Sequence, residues 1–180
     1  MIGRRVVLAG ASALVCVPVG RRAQAGLPPI TMERHERAML AAIELGKRNP
    51  FWPFGAVITR ADSGAIIAQG VNDARANPVL HGEIACMNDY VARNGNTGWS
   101  DCVLYTTAEP CPMCMSALVW AHIGGVVFGT SIASLQRFGM DQIEITSRAL
   151  ADAAPFYTGL LLGGVLEKET DQLFRDRRKN

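Results

Sequence analysis

Pro110-Cys111-Pro112-Met113-Cys114, preceded some thirty residues earlier by His81-Gly82-Glu83, is the stretch on which the rest of the chain turns. Two cysteines separated by two residues form a pincer for a soft metal, and a histidine from elsewhere supplies a third ligand. Zinc held by three protein groups keeps its fourth tetrahedral position for water, which is the catalytic pattern; structural sites use four protein ligands. His81, Cys111 and Cys114 are therefore the expected zinc ligands. Glu83 follows the histidine by two residues, so it can stand beside the metal without binding it. A carboxylate next to a metal-activated water can carry the protons that a hydrolysis must move.

Other readings of the motif fit less of it. A structural zinc site needs a fourth ligand, and no further cysteine or histidine is suitably placed. His35 falls among charged residues of the first helix and His122 follows the third, so neither is assigned to the metal. A redox pair would explain the cysteines and leave His81-Gly82-Glu83 unexplained.

Working outward, Thr31 suits the N-cap of a helix reaching Leu45, with Gly46 as its C-cap. Residues 54–59 and 65–71 read as strands joined by the turn Ala61-Asp62-Ser63-Gly64. A polar loop, 72–78, leads to a second helix over 79–94 with His81 and Glu83 in its first turn. Residues 102–106 form a buried strand. A third helix over 111–121 follows, with Pro112 in the first turn, where the missing N–H costs nothing. Both helix N-termini carry partial positive charge, which favours thiolates at Cys111 and Cys114. A strand over 126–129, an irregular stretch over 131–142, a short helix over 147–154, a strand over 157–162 and a final helix over 167–178 complete the chain. This order argues an α/β sandwich around one sheet.

These residues resemble the zinc-dependent cytidine/deoxycytidylate deaminase superfamily, and within it the branch holding bacterial guanine deaminase and the tRNA adenosine deaminases. The resemblance runs from about Thr31 to the end. It is carried by Pro53-Phe54-Gly55-Ala56-Val57, His81-Gly82-Glu83 and Thr107-Ala108-Glu109-Pro110-Cys111-Pro112-Met113-Cys114. It implies a three-layer α/β/α sandwich with a five-stranded mixed sheet, bound Zn2+, and hydrolytic deamination of a cyclic amidine with release of ammonia. It implies Glu83 as the proton carrier, Asn72 holding the base or sugar, and Phe54 against the base. It also implies a homodimer with active sites near the interface, to which the apolar third helix (Met113, Met115, Leu118, Val119, Trp120) could contribute. A deaminase fold that binds without catalysing is the remaining alternative, and the intact ligands and glutamate speak against it.

The substrate is less plainly written. Position 82 is glycine where guanine and tRNA adenosine deaminases usually carry alanine; His-Gly-Glu, with a leucine before it like Leu80, also occurs in fungal cytosine deaminase. The bacterial guanine enzyme uses an acidic residue after the fourth strand. Here Phe138-Gly139-Met140-Asp141-Gln142 resembles that region, with Gln142 at the acid's place and Asp141 one residue away. Conversely, residues 123–129 and Phe174-Arg175-Asp176-Arg177-Arg178 resemble the tRNA adenosine enzymes.

Charge and targeting weigh on that choice. Met1 to Ala25 reads as an export signal: Arg4-Arg5, an apolar run from Val6 to Val19, then Ala23-Gln24-Ala25 as a small-x-small cleavage site. The paired arginines before Val6-Val7-Leu8 resemble a twin-arginine signal. The full chain has 180 residues and a formal charge of +2. Removing residues 1–25 takes four arginines and no acid, which leaves 14 basic and 16 acidic residues, a net −2. Phosphate contacts dominate nucleic-acid affinity, so a near-neutral surface favours a small substrate (a nucleobase, nucleoside or related heterocycle, guanine-like first) over tRNA. Cys86 and Cys102 read as small core residues. A thiolate zinc site is hard to assemble in an oxidising compartment, and the twin-arginine route exports folded, metal-loaded protein. The expected location is periplasmic or otherwise exported, with no membrane attachment in the mature form.

Overall fold

The structure, a computed structural model, describes residues 26–178; the expected export signal lies outside the described residues. Five strands form one mixed sheet: β1 (Gly55–Arg60), β2 (Ile66–Val71), β3 (Cys102–Ala108), β4 (Gly125–Thr130) and β5 (Leu160–Leu162). Their order is β2-β1-β3-β4-β5, with β1 antiparallel to both neighbours and β3, β4 and β5 mutually parallel. The helices are α1 (Met32–Gly46), α2 (Gly82–Asn94), α3 (Pro112–Trp120), α4 (Ile132–Arg137), α5 (Ser147–Asp152) and α6 (Glu167–Arg175).

Strand residues alternate between two cores, as the period of a strand requires. Ala56, Ile58, Leu104 and Val126 pack with Cys86 and Tyr90 of α2 and Met115 and Leu118 of α3. Val57, Val103, Tyr105 and Val127 pack with Met39, Ala42 and Ile43 of α1, and Leu173 of α6 joins them. The sheet is thus covered on both faces, which is the expected three-layer α/β/α sandwich. Cys86 and Cys102 are fully buried and free, as core residues should be. Among the described residues no helix is long and apolar enough to cross a membrane.

Several local expectations need correction. The stretch 131–142 is not irregular throughout: Ser131 caps α4 by accepting from the Ser134 N–H, and Ile132 and Leu135 are buried one turn apart. Gly46 lies inside α1, and Lys47 is the C-cap. An added Cβ at Gly46 would sit 2.6 Å from the Pro53 carbonyl oxygen, so that glycine serves close packing. Strand β5 begins at Leu160, and Tyr157 is a core residue of the preceding turn. Helix α6 stops at Arg175, because the Arg178 N–H leaves to bond the Pro50 carbonyl.

Candidate active site

His81 and Cys111 occupy equivalent places on different helices. Each is an N-cap in extended backbone, His81 at φ −67°, ψ 162° and Cys111 at φ −61°, ψ 164°, and neither side chain caps its own helix. An N-cap side chain normally turns back to satisfy the first helical N–H groups. Here both point away from that task and meet one another. Cys114, one turn into α3, completes the group.

His81 Nδ1 lies 3.6 Å from Cys111 Sγ and 3.6 Å from Cys114 Sγ. Zinc bonds of about 2.05 Å to nitrogen and about 2.3 Å to sulphur, at a tetrahedral angle, place N and S about 3.6 Å apart. His81 Nδ1 is therefore already spaced from both thiols as along two edges of a zinc tetrahedron, and the three residues form a group whose ligand atoms all lie within 4.8 Å of one another. The residues fit zinc.

Without the metal, the thiols share their protons unequally. A hydrogen bond from Cys114, aided by His81, holds Cys111 down at about 4, whereas Cys114, which keeps its proton beside Cys111, is pushed well up. The Cys111 thiolate in turn raises the His81 imidazole. Glu83 is 3% exposed, and burial pushes its carboxyl above the ordinary range; the negative Cys111 adds to this, while His81 acts against it. The Thr106 hydroxyl donates to Glu83 Oε1 at 3.4 Å. A buried carboxylate of raised affinity for protons, next to the ligand group and outside it, is suited to taking a proton and giving it back.

The approach of α2 to the sheet depends on two glycines. A Cβ at Gly70 would collide with the Cys86 nitrogen and the Gly82 carbonyl oxygen, and a Cβ at Gly82 would lie 2.5 Å from the Phe54 carbonyl oxygen. That same Phe54 carbonyl accepts the Asn72 N–H at 2.9 Å. So the start of β1, the end of β2 and the start of α2 touch at one point, which brings Phe54, Asn72, His81 and Glu83 together. Asn72 is buried; its Oδ1 accepts the Ala74 N–H at 3.1 Å, and its carbonyl accepts from Asn49 Nδ2 at 2.9 Å. This loop chemistry fixes the Asn72 side chain while its amide Nδ2 makes no hydrogen bond among the described residues. Phe54 is half-buried, its ring 5.0 Å from that of Phe174.

The remaining candidates fall elsewhere. His35 is in the core under α1, its Nδ1 3.0 Å from the Tyr105 hydroxyl. His122 is exposed, at φ 56°, against Phe156. Neither joins the metal group, as expected. Trp52 is 37% exposed with the Arg177 guanidinium over its ring. Asp141 is exposed and makes no hydrogen bond among the described residues.

Sequence reasoning passed over Glu109. It is 7% exposed, and its carboxylate accepts from the Ile132 N–H at 2.9 Å and the Ser147 N–H at 2.8 Å. The signal was a charged residue between Ala108 and Pro110, in a stretch otherwise buried.

A family model, the cytidine and deoxycytidylate deaminase zinc-binding region, matches residues 32–130. The guanine deaminase of Bacillus subtilis (strain 168) is 34% identical over 128 residues, covering 68% of this chain and 81% of that protein. A tRNA-specific adenosine deaminase of Streptococcus pyogenes is 37% identical over 89 residues, 48% of this chain and 53% of its own. A solved structure of guanine deaminase from Nitrosomonas europaea superposes with a TM-score of 0.69 over 84% of this chain and 93% of that one; at 24% identity it shows the fold.

Proposed function

Because the chain belongs to the family of zinc-binding cytidine and deoxycytidylate deaminases, we propose that the substrate of this hydrolytic deaminase is a guanine-like purine. The observation that carries the reading is the pair of 3.6 Å separations from His81 Nδ1 to both thiols, with buried Glu83 alongside. Zinc held by His81, Cys111 and Cys114 supplies Lewis-acid activation of water. Glu83 accepts a proton from the attacking water and delivers it to a ring nitrogen. It then takes the remaining proton from the newly added hydroxyl and passes it to the amino group, which leaves as ammonia as the carbon becomes a carbonyl. Asn72, its Oδ1 occupied by Ala74, offers Nδ2 as a donor to a ring nitrogen or carbonyl oxygen of the base. Phe54 offers a ring face.

The guanine-like choice is supported by the 34% identity to a guanine deaminase across most of both chains. The match in sequence to a tRNA-specific adenosine deaminase covers about half of each chain. The C-terminal arginines give that reading little support. Arg175 lies over Phe138 and pairs with Asp171, while Arg177 lies over Trp52 and donates to the Gly139 carbonyl. Side chains held in this way are poorly placed for phosphates.

Export before residue 26 and a homodimer belong to the same proposal. Four free cysteines among the described residues suit a protein folded before it meets an oxidising space. Trp120, 72% exposed and 5.2 Å from Phe156, suits a contact with a second copy.

The test is ammonia release from guanine, adenine, cytosine, cytidine and a tRNA anticodon hairpin, with Glu83→Ala as blank. Turnover of guanine lost in the blank supports the proposal, and turnover of the hairpin alone overturns it. N-terminal sequencing of the exported protein checks cleavage after Ala25, and sedimentation of Trp120→Arg checks the interface.

A further inference from the structure

Glu109 joins three parts of the chain. Oε2 takes the N–H of Ile132, the first residue of α4, and Oε1 takes that of Ser147, the first residue of α5. Ser147, 1% exposed, returns a second bond: its hydroxyl donates to the Pro110 carbonyl at 3.0 Å. The Glu109 N–H itself donates to the Thr130 carbonyl at 2.7 Å. Every one of these partners is backbone or buried. The segment Glu109-Pro110, which leads directly into Cys111, is therefore tied to the first residue of α4 and the first residue of α5, which bracket α4 and the connection that follows it.

That connection, residues 138–146, does not lie apart from the pocket. Met140 is buried with Ala108 and Phe174, and Phe54 and Phe138 pack against the same cluster. We propose that Glu109, with Ser147, is a positioning residue: it fixes residues 138–146 as a wall of the substrate pocket against Phe54, in register with the cysteine turn. This rests on Phe54 and Glu83 marking the substrate site. A carboxylate suits the task because its two oxygens accept from two N–H groups that diverge, and because it faces the positive ends of two helices. An amide in its place presents one oxygen and one N–H2, so one of the two backbone donors is left without an acceptor.

The test uses the zinc-loaded full chain and the variants Glu109→Gln and Ser147→Ala, compared by hydrogen exchange and by steady-state kinetics on the base that the wild type turns over. In Glu109→Gln, exchange across 132–147 rises at least tenfold while that of 112–120 is unchanged, and zinc stays at one per chain. Its kcat/KM falls on the order of 10²-fold, the misplacement scale for a group remote from the chemistry, with most of the loss in KM. Ser147→Ala, which keeps its N–H bond to Glu109, shows the same pattern to a smaller degree. Unchanged exchange across 132–147 in both variants overturns the tie. Faster exchange with native kcat and KM overturns the positioning role and leaves Glu109 a stabilising residue only. A wild type that deaminates no base refutes the proposed function instead, and the exchange comparison, which needs no substrate, still decides the tie.

Discussion

Gly82→Ala is the smallest change that reaches the whole site. Its added Cβ would lie 2.5 Å from the Phe54 carbonyl oxygen and 3.0 Å from the Phe54 carbonyl carbon. Ordinary contact begins at 3.4 Å, so helix α2 and the start of β1 must separate by about 0.9 Å. Both are backbone, and neither can turn away as a side chain would. The Phe54 carbonyl also holds the Asn72 N–H, so the displacement strains the bond that joins both substrate-contact candidates. Overpacking of this kind costs about 1–3 kcal/mol. For a domain of this size that lowers Tm by roughly 2–12 °C. The same shift misplaces Glu83 relative to Phe54 and Asn72, and kcat/KM falls on the order of 10²-fold. Urea denaturation of the zinc-loaded protein gives the first quantity and initial rates of ammonia release the second. A Gly82→Ala protein with native denaturation midpoint and native kcat/KM would refute the close approach of α2 to β1.

Metal removal should expose one reactive thiol. Cys111, held at about 4, is a thiolate at neutral pH in the chelated protein, whereas burial pushes the Cys86 and Cys102 thiols up. Mild iodoacetamide should label Cys111 first, and added zinc should protect it, as peptide mapping would show. His35 supplies a pH dependence away from the metal. Burial first, and the Arg34 charge second, hold its imidazole below the ordinary 6.5. The unfolded chain then binds the proton more readily, so this contribution to stability is complete above pH 6.5 and is lost as pH falls below it. The denaturation midpoint of zinc-loaded His35→Gln should vary less between pH 7.5 and 5.5 than that of the wild type; an equal variation would dismiss the assignment.

Much of this is legible in the amino-acid sequence alone. His81, Glu83, Cys111 and Cys114 announce themselves because zinc chemistry admits few residue types and few spacings. Helix α1 is announced by Thr31 at its N-cap, and α3 by Pro112 in its first turn. What escaped the sequence is of two kinds. Helix α4 has only six residues, too few for a period to declare itself, although Ser131 was a usable cap signal. Glu109 looks like any acidic residue in a loop until its partners, both backbone N–H groups far along the chain, are seen. Gly82 showed only as a departure from its relatives; that it lets α2 settle onto the Phe54 carbonyl needs three dimensions.

The most direct test compares wild type with Glu83→Gln, each assayed for zinc content and for ammonia released from guanine. The account expects one zinc per chain in both, with ammonia and xanthine formed one for one by the wild type. Loss of the proton carrier should lower the variant's turnover by about 10²- to 10⁴-fold or more. A Glu83→Gln protein that retains native turnover would contradict the assignment of Glu83. A wild type that binds no zinc through His81, Cys111 and Cys114 would contradict the account at its centre.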